Sequence, residues 1–261
     1  MKLLRILLLL LLGYVVFAIA TLPASFATRR INAALADVEI NAVDGSIWSG
    51  SANDINYQGV ALGALEWNAR PASLFRGEWR NHLLLDGVVS GEGELAVDLD
   101  GLVWFYDASL HTSLAELNRS LARRLPAQAR QLRGGVDADI TKFAVEPRGR
   151  ELHWLEGDFA VTGLRLGDDF YLGDFAASVT TVGEQRFRSE VRSTGDRGLQ
   201  LQGVVTTNLQ GDVELDLEIA NVELFGDRAA AQMRRLMQKT EQGYYRLRWQ
   251  GNIKYLIMLF G

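Results

Sequence analysis

The chain has 261 residues, 48% of them apolar, with 26 glycines against 4 prolines and a formal net charge of −5. The acidic balance leaves no basic footprint for nucleic acid, and the absence of cysteine removes disulfides, thiolate metal sites and cysteine nucleophiles while leaving the redox compartment open. Abundant glycine with little proline fits a turn-rich sheet protein better than a disordered one, and the length suits a large all-β domain.

At the amino end, Lys2 and Arg5 precede an apolar run over residues 6–22, interrupted only by Gly13, Tyr14 and Thr21. Such a run sits at the lower limit for spanning a bilayer core, and Leu3 and Leu4 extend it if Arg5 snorkels. The positive flank predicts a retained anchor over 1–22, with the amino terminus cytoplasmic and the bulk of the chain exported. A cleaved signal peptide is the competing reading. Ala18, Ile19 and Ala20 fit the small-x-small pattern before Thr21, and Arg29 and Arg30 weaken the charge asymmetry. Either way the bulk of the chain crosses the membrane. Pro23 then suits the first turn of a juxtamembrane helix over 23–36, with Phe26, Ile31, Ala34 and Leu35 as its apolar positions.

Residues 45–77 are the most distinctive stretch. Residues 43–48 read as a strand, and Ser49, Gly50 and Ser51 as a bulge or kink. Ile55 and Tyr57 alternate, Gln58 and Gly59 turn, and Leu65, Trp67 and Ala69 alternate again, which is a hairpin. Pro71 begins a single helical turn through Leu74 and Phe75, with Gly77 as its left-handed stop.

The combination of an apolar amino end, a proline-started helix, the G-S-I-W-S-G run with Gly45, Trp48 and Gly50, the G-x-x-x-G-x-L-x-W hairpin with Gly59, Gly63, Leu65 and Trp67, and the P-x-x-L-x-x-G turn with Pro71, Leu74 and Gly77 resembles type II secretion system protein N. In that family the first element usually reads G-T-aliphatic-W, so Ser46 stands in place of threonine and keeps the hydroxyl. Parts of the pattern are shared with β-rich inner-membrane proteins of the AsmA type. The resemblance implies a retained anchor and a non-catalytic component of the secretion machinery, and the motif residues are expected to serve structure.

Beyond the motif the strand rhythm continues. Residues 79–85 and 93–99 are strand candidates, the latter with Leu95, Val97 and Leu99 on one face. Ser113 and Glu116 form a capping box for a helix whose stripe runs Leu114, Leu117, Leu121 and Leu125 and stops at Pro126. A second set of strands is predicted over 138–145, 154–161, 170–179, 185–193, 199–207 and 212–219, with turns at Gly173-Asp174 and Gly195-Asp196. Residues 227–242 read as a second amphipathic helix carrying Met233, Leu236 and Met237. Tyr245, Leu247 and Trp249 then alternate as a closing strand. The apolar tail at 255–260 is too short to span a membrane as a helix. The predicted architecture is mainly β: a curved antiparallel sheet over 37–261 with two amphipathic helices, one unit or two divided near 126–135.

No catalytic constellation is legible. His82, His111 and His153 are not spaced as metal ligands, and there is neither a nucleophile elbow nor a phosphate loop. Gly91, Gly93 and Ala96 match G-x-G-x-x-A inside a strand alternation, the wrong context for a dinucleotide site. Asp168 and Asp169 have no evident partner. The acidic face of 212–219 points outward as a row and does not converge as a calcium cage. No cofactor and no metal is expected. Two functions follow. One is a tethered component that binds other secretion subunits through sheet edges or an apolar patch. The alternative, from the AsmA-type likeness and the apolar tail, is a lipid-binding protein whose curved sheet holds acyl chains.

Overall fold

A computed structural model describes residues 7, 10, 11, 13, 14, 17–34, 37–121, 129–146, 151–167, 170–183, 185–226, 230, 231, 234, 237–241 and 243–252. The chain divides into two compact units, Met1–Glu92 and Gly93–Gly261. Both are mainly β, and every strand pairing given below is antiparallel.

In the first unit, helix α1 (Ala24–Ala34) leads into β1 (Val38–Gly45), β2 (Ser49–Tyr57), β3 (Val60–Ala69) and β4 (Trp79–Gly87). The strands lie side by side in chain order, and β5 (Val89–Val97) carries the chain on toward the second unit. Gln58 and Gly59 join β2 to β3 with φ of 53° and 78°, and Tyr57 faces Val60. Two consecutive positive φ values make a turn whose twist matches the strands it joins. The register of β2 slips between Ala52, Ile55 and Asn56, so the bulge expected at 49–51 lies further along. The strand expected over 43–48 ends at Gly45, whose φ of 90° takes the chain out of the sheet.

Two glycines set the spacing between β3 and β4. Gly63, with φ 121°, faces Gly87, and a Cβ on either one would lie within 2.6 Å of the other's Cα. On the far side, α1 lies along β1, where Asn32 accepts from the Ile40 N–H at 3.0 Å and donates to the Ile40 carbonyl at 3.1 Å. Both outward backbone groups of Ile40 are thereby occupied, which blunts the edge strand against pairing. The core of this unit is made of Ala24, Ala52, Ile55, Val60 and Ala69, each under 9% exposed.

The second unit contains β6 (Val103–Ser113), α2 (Leu114–Ser120), β7 (Leu132–Glu146), β8 (Glu151–Leu166), β9 (Phe170–Thr181), β10 (Arg186–Ser193), β11 (Gln200–Asn208), β12 (Asp212–Ala220), β13 (Gln238–Lys239) and β14 (Tyr245–Asn252). Pairing again follows the chain, except that β14 lies between β12 and β13. Register aligns the apolar sides into rows. One row runs Leu110, Ala138, Phe159, Ala177, Val191, Gly203, Leu217, Leu247, from β6 across to β14. These side chains are half-buried, and among the described residues the largest fully buried side chain is Val222. Among the described residues this row of the apolar face is only half covered, while Ala108, Phe187 and Val213 on the same face are buried.

Several expectations change in this unit. Strand β6 escaped the sequence reading because it is aromatic on both sides: Trp104 stacks on Tyr106 with centroids 6.0 Å apart, while Phe105 meets Phe143 edge-on at 5.6 Å. Ser113 does cap α2, accepting from the Ala115 N–H at 3.3 Å. That helix ends at Ser120, and Leu125 and Pro126 lie outside the described residues. Its buried polar residue, Asn118, donates to the Leu132 carbonyl at 2.7 Å.

The helix expected over 227–242 is too long. Ala230, Ala231 and Arg234 are helical, but Gln238 and Lys239 form β13 opposite Arg246 and Tyr245. A hairpin stops the helix there: Thr240 and Tyr244 bond across a turn whose Gly243 has φ 89°. Met233, Leu236, the apolar tail 255–260, and Asp168 and Asp169 lie outside the described residues. Gly173 and Asp174, expected at a turn, lie inside β9. Gly173 is buried at φ 128°, and Asp174 accepts from the Gly163 N–H at 2.6 Å and the Tyr171 hydroxyl at 2.9 Å. Leu99 falls beyond β5 and is 89% exposed, whereas Gly93 and Ala96 are the buried residues of that strand.

Candidate functional site

The motif residues converge at one end of the first unit's sheet. Between β1 and β2 the chain makes a tight turn at Ser46, Ile47 and Trp48. The Ser46 N–H donates to the Ser49 carbonyl at 2.9 Å, and the Ser46 hydroxyl accepts from the Trp48 and Ser49 N–H groups at 3.2 Å. A hydroxyl at this position therefore holds the turn, which is the part that threonine would play equally well. Trp67, opposite Gly50 on the neighbouring strand, donates its indole N–H to the Ser46 carbonyl at 2.9 Å. Gly50 is obligatory beneath it, since a Cβ there would fall 2.6 Å from the Trp67 ring. Trp67 is half-buried, so the ring is a lid over the turn with one side open.

This turn grips the end of the amino-terminal helix. The Trp48 indole N–H donates to the Ile19 carbonyl at 2.9 Å, the Ile47 N–H donates to the Leu22 carbonyl at 3.0 Å, and Pro23 bridges to Ser46. The carbonyls at a helix's last turn lack partners within the helix; here the Trp48 side chain meets the carbonyl of Ile19, and the Ile47 amide holds Leu22 just past the helix end. Residues 7, 10, 11, 13, 14 and 17–20 are helical. The described side chains there stand clear of the protein: Leu7, Leu10, Leu11 and Phe17 are 64%, 68%, 61% and 66% exposed. Among the described residues, no helix is long and apolar enough to cross a membrane.

The remaining motif residues shape the hairpin and the turn after it. Gly59 and Gly63 hold the positive φ values described above, and Leu65 is half-buried between Ala52 and Leu85. Pro71 opens a 3-10 turn, Pro71–Arg76, closed by Gly77 at φ 76°, whose N–H donates to the Leu74 carbonyl at 3.0 Å. The left-handed stop expected at Gly77 is present. Leu74 itself is 49% exposed.

The chain matches the family model described as type II secretion system (T2SS), protein N, over residues 36–248. The chain belongs to this family. A curated relative, type II secretion system protein N of Aeromonas hydrophila, is 24% identical over 258 residues, which is 93% of this chain and 96% of the relative. No solved structure matches the chain. The family match begins after the amino-terminal helix and takes in the whole Gly45-to-Gly77 pattern.

The polar side of the second unit carries its charged groups in register. Asp216 on β12 takes two bonds from Arg246, at 2.7 and 2.6 Å, and one from Arg248 at 3.2 Å. The Arg246 hydrogen bonds hold the Asp216 carboxyl below its ordinary value and push Arg246 up. Asp216 and Arg246, with Arg186, Arg188, Glu214 and Glu218, line an open concavity of about 770 Å³. Of the acids on β12, Asp216 is bound by the arginines of β14, while Glu218 accepts from Gln202 at 2.9 Å and Asp212 accepts from Asn208 at 3.0 Å.

A carboxylate whose pKa is depressed on folding stabilises the fold at pH values above its unfolded pKa, and that contribution is lost as pH falls through the lower folded pKa. Asp216→Asn is accordingly expected to lower stability by a constant amount near neutral pH, and the gap to wild type should close below about pH 4, where the unfolded carboxylate protonates. Urea midpoints measured from pH 7 down to pH 3 check this; a gap independent of pH would show that the pair contributes nothing through charge.

Each histidine faces a carboxylate: His82 pairs with Glu92 at 3.5 Å, His111 with Asp137, and His153 with Glu146 at 3.8 Å. Glu146, Glu151 and His153 have ligand atoms within 4.8 Å of one another, all at the exposed ends of β7 and β8.

Proposed function

We propose that the chain is a non-catalytic, single-pass inner-membrane component of the type II secretion machinery, with a periplasmic β region that binds other secretion subunits. Family membership supports the machinery. The clasp of Ser46, Ile47 and Trp48 on Ile19, Leu22 and Pro23 is the observation that carries the tethered architecture. It fixes the first sheet directly to the end of an apolar helix whose described leucines are open to their surroundings, an arrangement suited to a bilayer. Trp48 is amphipathic, and such rings favour the level of the headgroups. The amino-terminal run, with Lys2 and Arg5 before it, is retained in this reading.

Two surfaces are suited to partners. Among the described residues β13 pairs with β14 only at Arg246 and Tyr245, and the edge from Leu247 to Gly251 is suited to the addition of a partner strand. By contrast, α1 occupies the edge of β1. A photo-crosslinking residue placed at Gln250 in secreting cells is expected to capture a secretion subunit. Capture of lipid-transport proteins alone, with no secretion subunit, would overturn the reading.

A second reading rests on the apolar face running from β6 to β14, which is continuous and half-buried. Acyl chains fit that chemistry, as in the AsmA-type alternative. The volume of about 770 Å³ noted above, however, opens on the charged side. Mass spectrometry of natively purified protein separates the two readings: retained lipid at a fixed ratio supports the second, and a lipid-free protein sinks it.

A further inference from the structure

The turn Pro71–Arg76 is held too firmly, and exposes too much apolar surface, to be a plain connector. Ser73 is 1% exposed; its hydroxyl donates to the Arg70 carbonyl at 2.7 Å and accepts from the Arg80 N–H at 3.1 Å. Gly77 closes the turn from the other side. With Ser73 pinned inward, the next two residues are driven outward: Leu74 is 49% exposed and Phe75 is 95% exposed. An isolated exposed leucine is ordinary; a fully presented phenylalanine beside it, on a braced turn, is not.

The position of this turn indicates what covers it. Ser49 faces Asn68, the Ala69 N–H donates to the Trp48 carbonyl at 2.6 Å, and the Arg70 N–H donates to the Arg80 carbonyl at 2.8 Å. Leu74 and Phe75 therefore project from the same end of the sheet at which Trp48 and Ile47 hold the end of the apolar amino-terminal helix. Arg70 and Arg76 flank the pair in sequence, and the first turn of α1 adds Phe26, 42% exposed, with the Arg30 guanidinium 4.9 Å over its ring. Apolar tips bordered by arginines match the boundary between acyl chains and anionic headgroups.

We propose that Leu74 and Phe75 insert into the headgroup–acyl boundary of the anionic phospholipid leaflet that faces the sheet, making a second membrane contact beside the amino-terminal helix. The proposal rests on the inner-membrane reading above. Two contacts fix the tilt of the first sheet on the bilayer, where a single helix would leave it free to swing.

The absence of cysteine allows single-site labelling. The full chain carrying Phe75→Cys, labelled with a polarity-sensitive fluorophore, would be reconstituted in vesicles of phosphatidylethanolamine and phosphatidylglycerol. Gln58→Cys, at the hairpin turn on the opposite end of the same strands, serves as the comparison. The label at 75 is expected to shift to the blue and be quenched by nitroxide-bearing acyl chains, while the label at 58 stays aqueous. Vesicle flotation separates the two levels of the argument. Protein that fails to float with vesicles overturns the inner-membrane reading; protein that floats while both labels remain aqueous overturns the contact alone. A label at 75 that is aqueous in vesicles but crosslinks to protein in cells also overturns it, in favour of a protein partner. Phe75→Ser should leave the thermal transition unchanged and reduce the tilt restriction seen by oriented-bilayer spectroscopy.

Discussion

Gly63→Ala is expected to be among the most destabilising single changes in the first unit, at about 4 kcal/mol. Two effects act together. A φ of 121° lies in a region that side chains rarely adopt, which costs about 1–3 kcal/mol. The new methyl would also stand 2.6 Å from the Gly87 Cα, so β3 and β4 must part, an overpacking cost of about 1–3 kcal/mol. Gly59→Ala is the control: its φ is also positive, at 78°, but nothing lies within 4 Å of a Cβ there. It should cost only about 1 kcal/mol. Denaturant midpoints followed by tryptophan fluorescence would measure both, and equal losses would refute the close-approach argument. Against a total stability of about 5–15 kcal/mol, the Gly63 change alone threatens folding.

Trp67→Ala is expected to cost about 3 kcal/mol, the low end for removing a large aromatic, because the ring is half-buried and not enclosed. The loss has two parts that substitution can separate. Trp67→Phe keeps an aromatic over Gly50 but removes the indole donor from the Ser46 carbonyl, and should cost about 1 kcal/mol. Calorimetry of the two variants gives the split. A fully stable Trp67→Ala protein would assign the ring to a partner in place of the fold.

These two positions show how far the sequence could be read. The hairpin, its Gln58-Gly59 turn, the helix between Pro23 and β1 and the stop at Gly77 were all visible, because each depends on residue types with strong local preferences. The roles of Gly63 and Gly50 were not, since a glycine beneath another strand's backbone or ring reports a contact made only after pairing. Ser46 stands out in the sequence as a departure from threonine, but its two acceptor bonds belong to a turn, where the alternation over 43–48 predicts a strand. Strand β6 was missed because Trp104, Phe105 and Tyr106 erase the alternation on which strand reading relies. The end of the second predicted helix was misplaced because its periodicity runs on past the point where the β13–β14 hairpin takes over. The exposure of Phe75 had no sequence signal: in a P-x-x-L-x-x-G turn either apolar residue can face inward, and the buried Ser73 decides it.

The order of the strands has a consequence for folding during synthesis. Within each unit nearly every strand pairs with the one just before it in the chain. A polypeptide synthesised amino end first would find, for each newly emerging strand, a template already waiting, and loop closure between distant segments would seldom be required. The growing sheet would have one live edge at a time, advancing with delivery. The exception is at the finish, where β14 must slip between β12 and β13. Assembly of this fold is thus a vectorial zipper with a late lock.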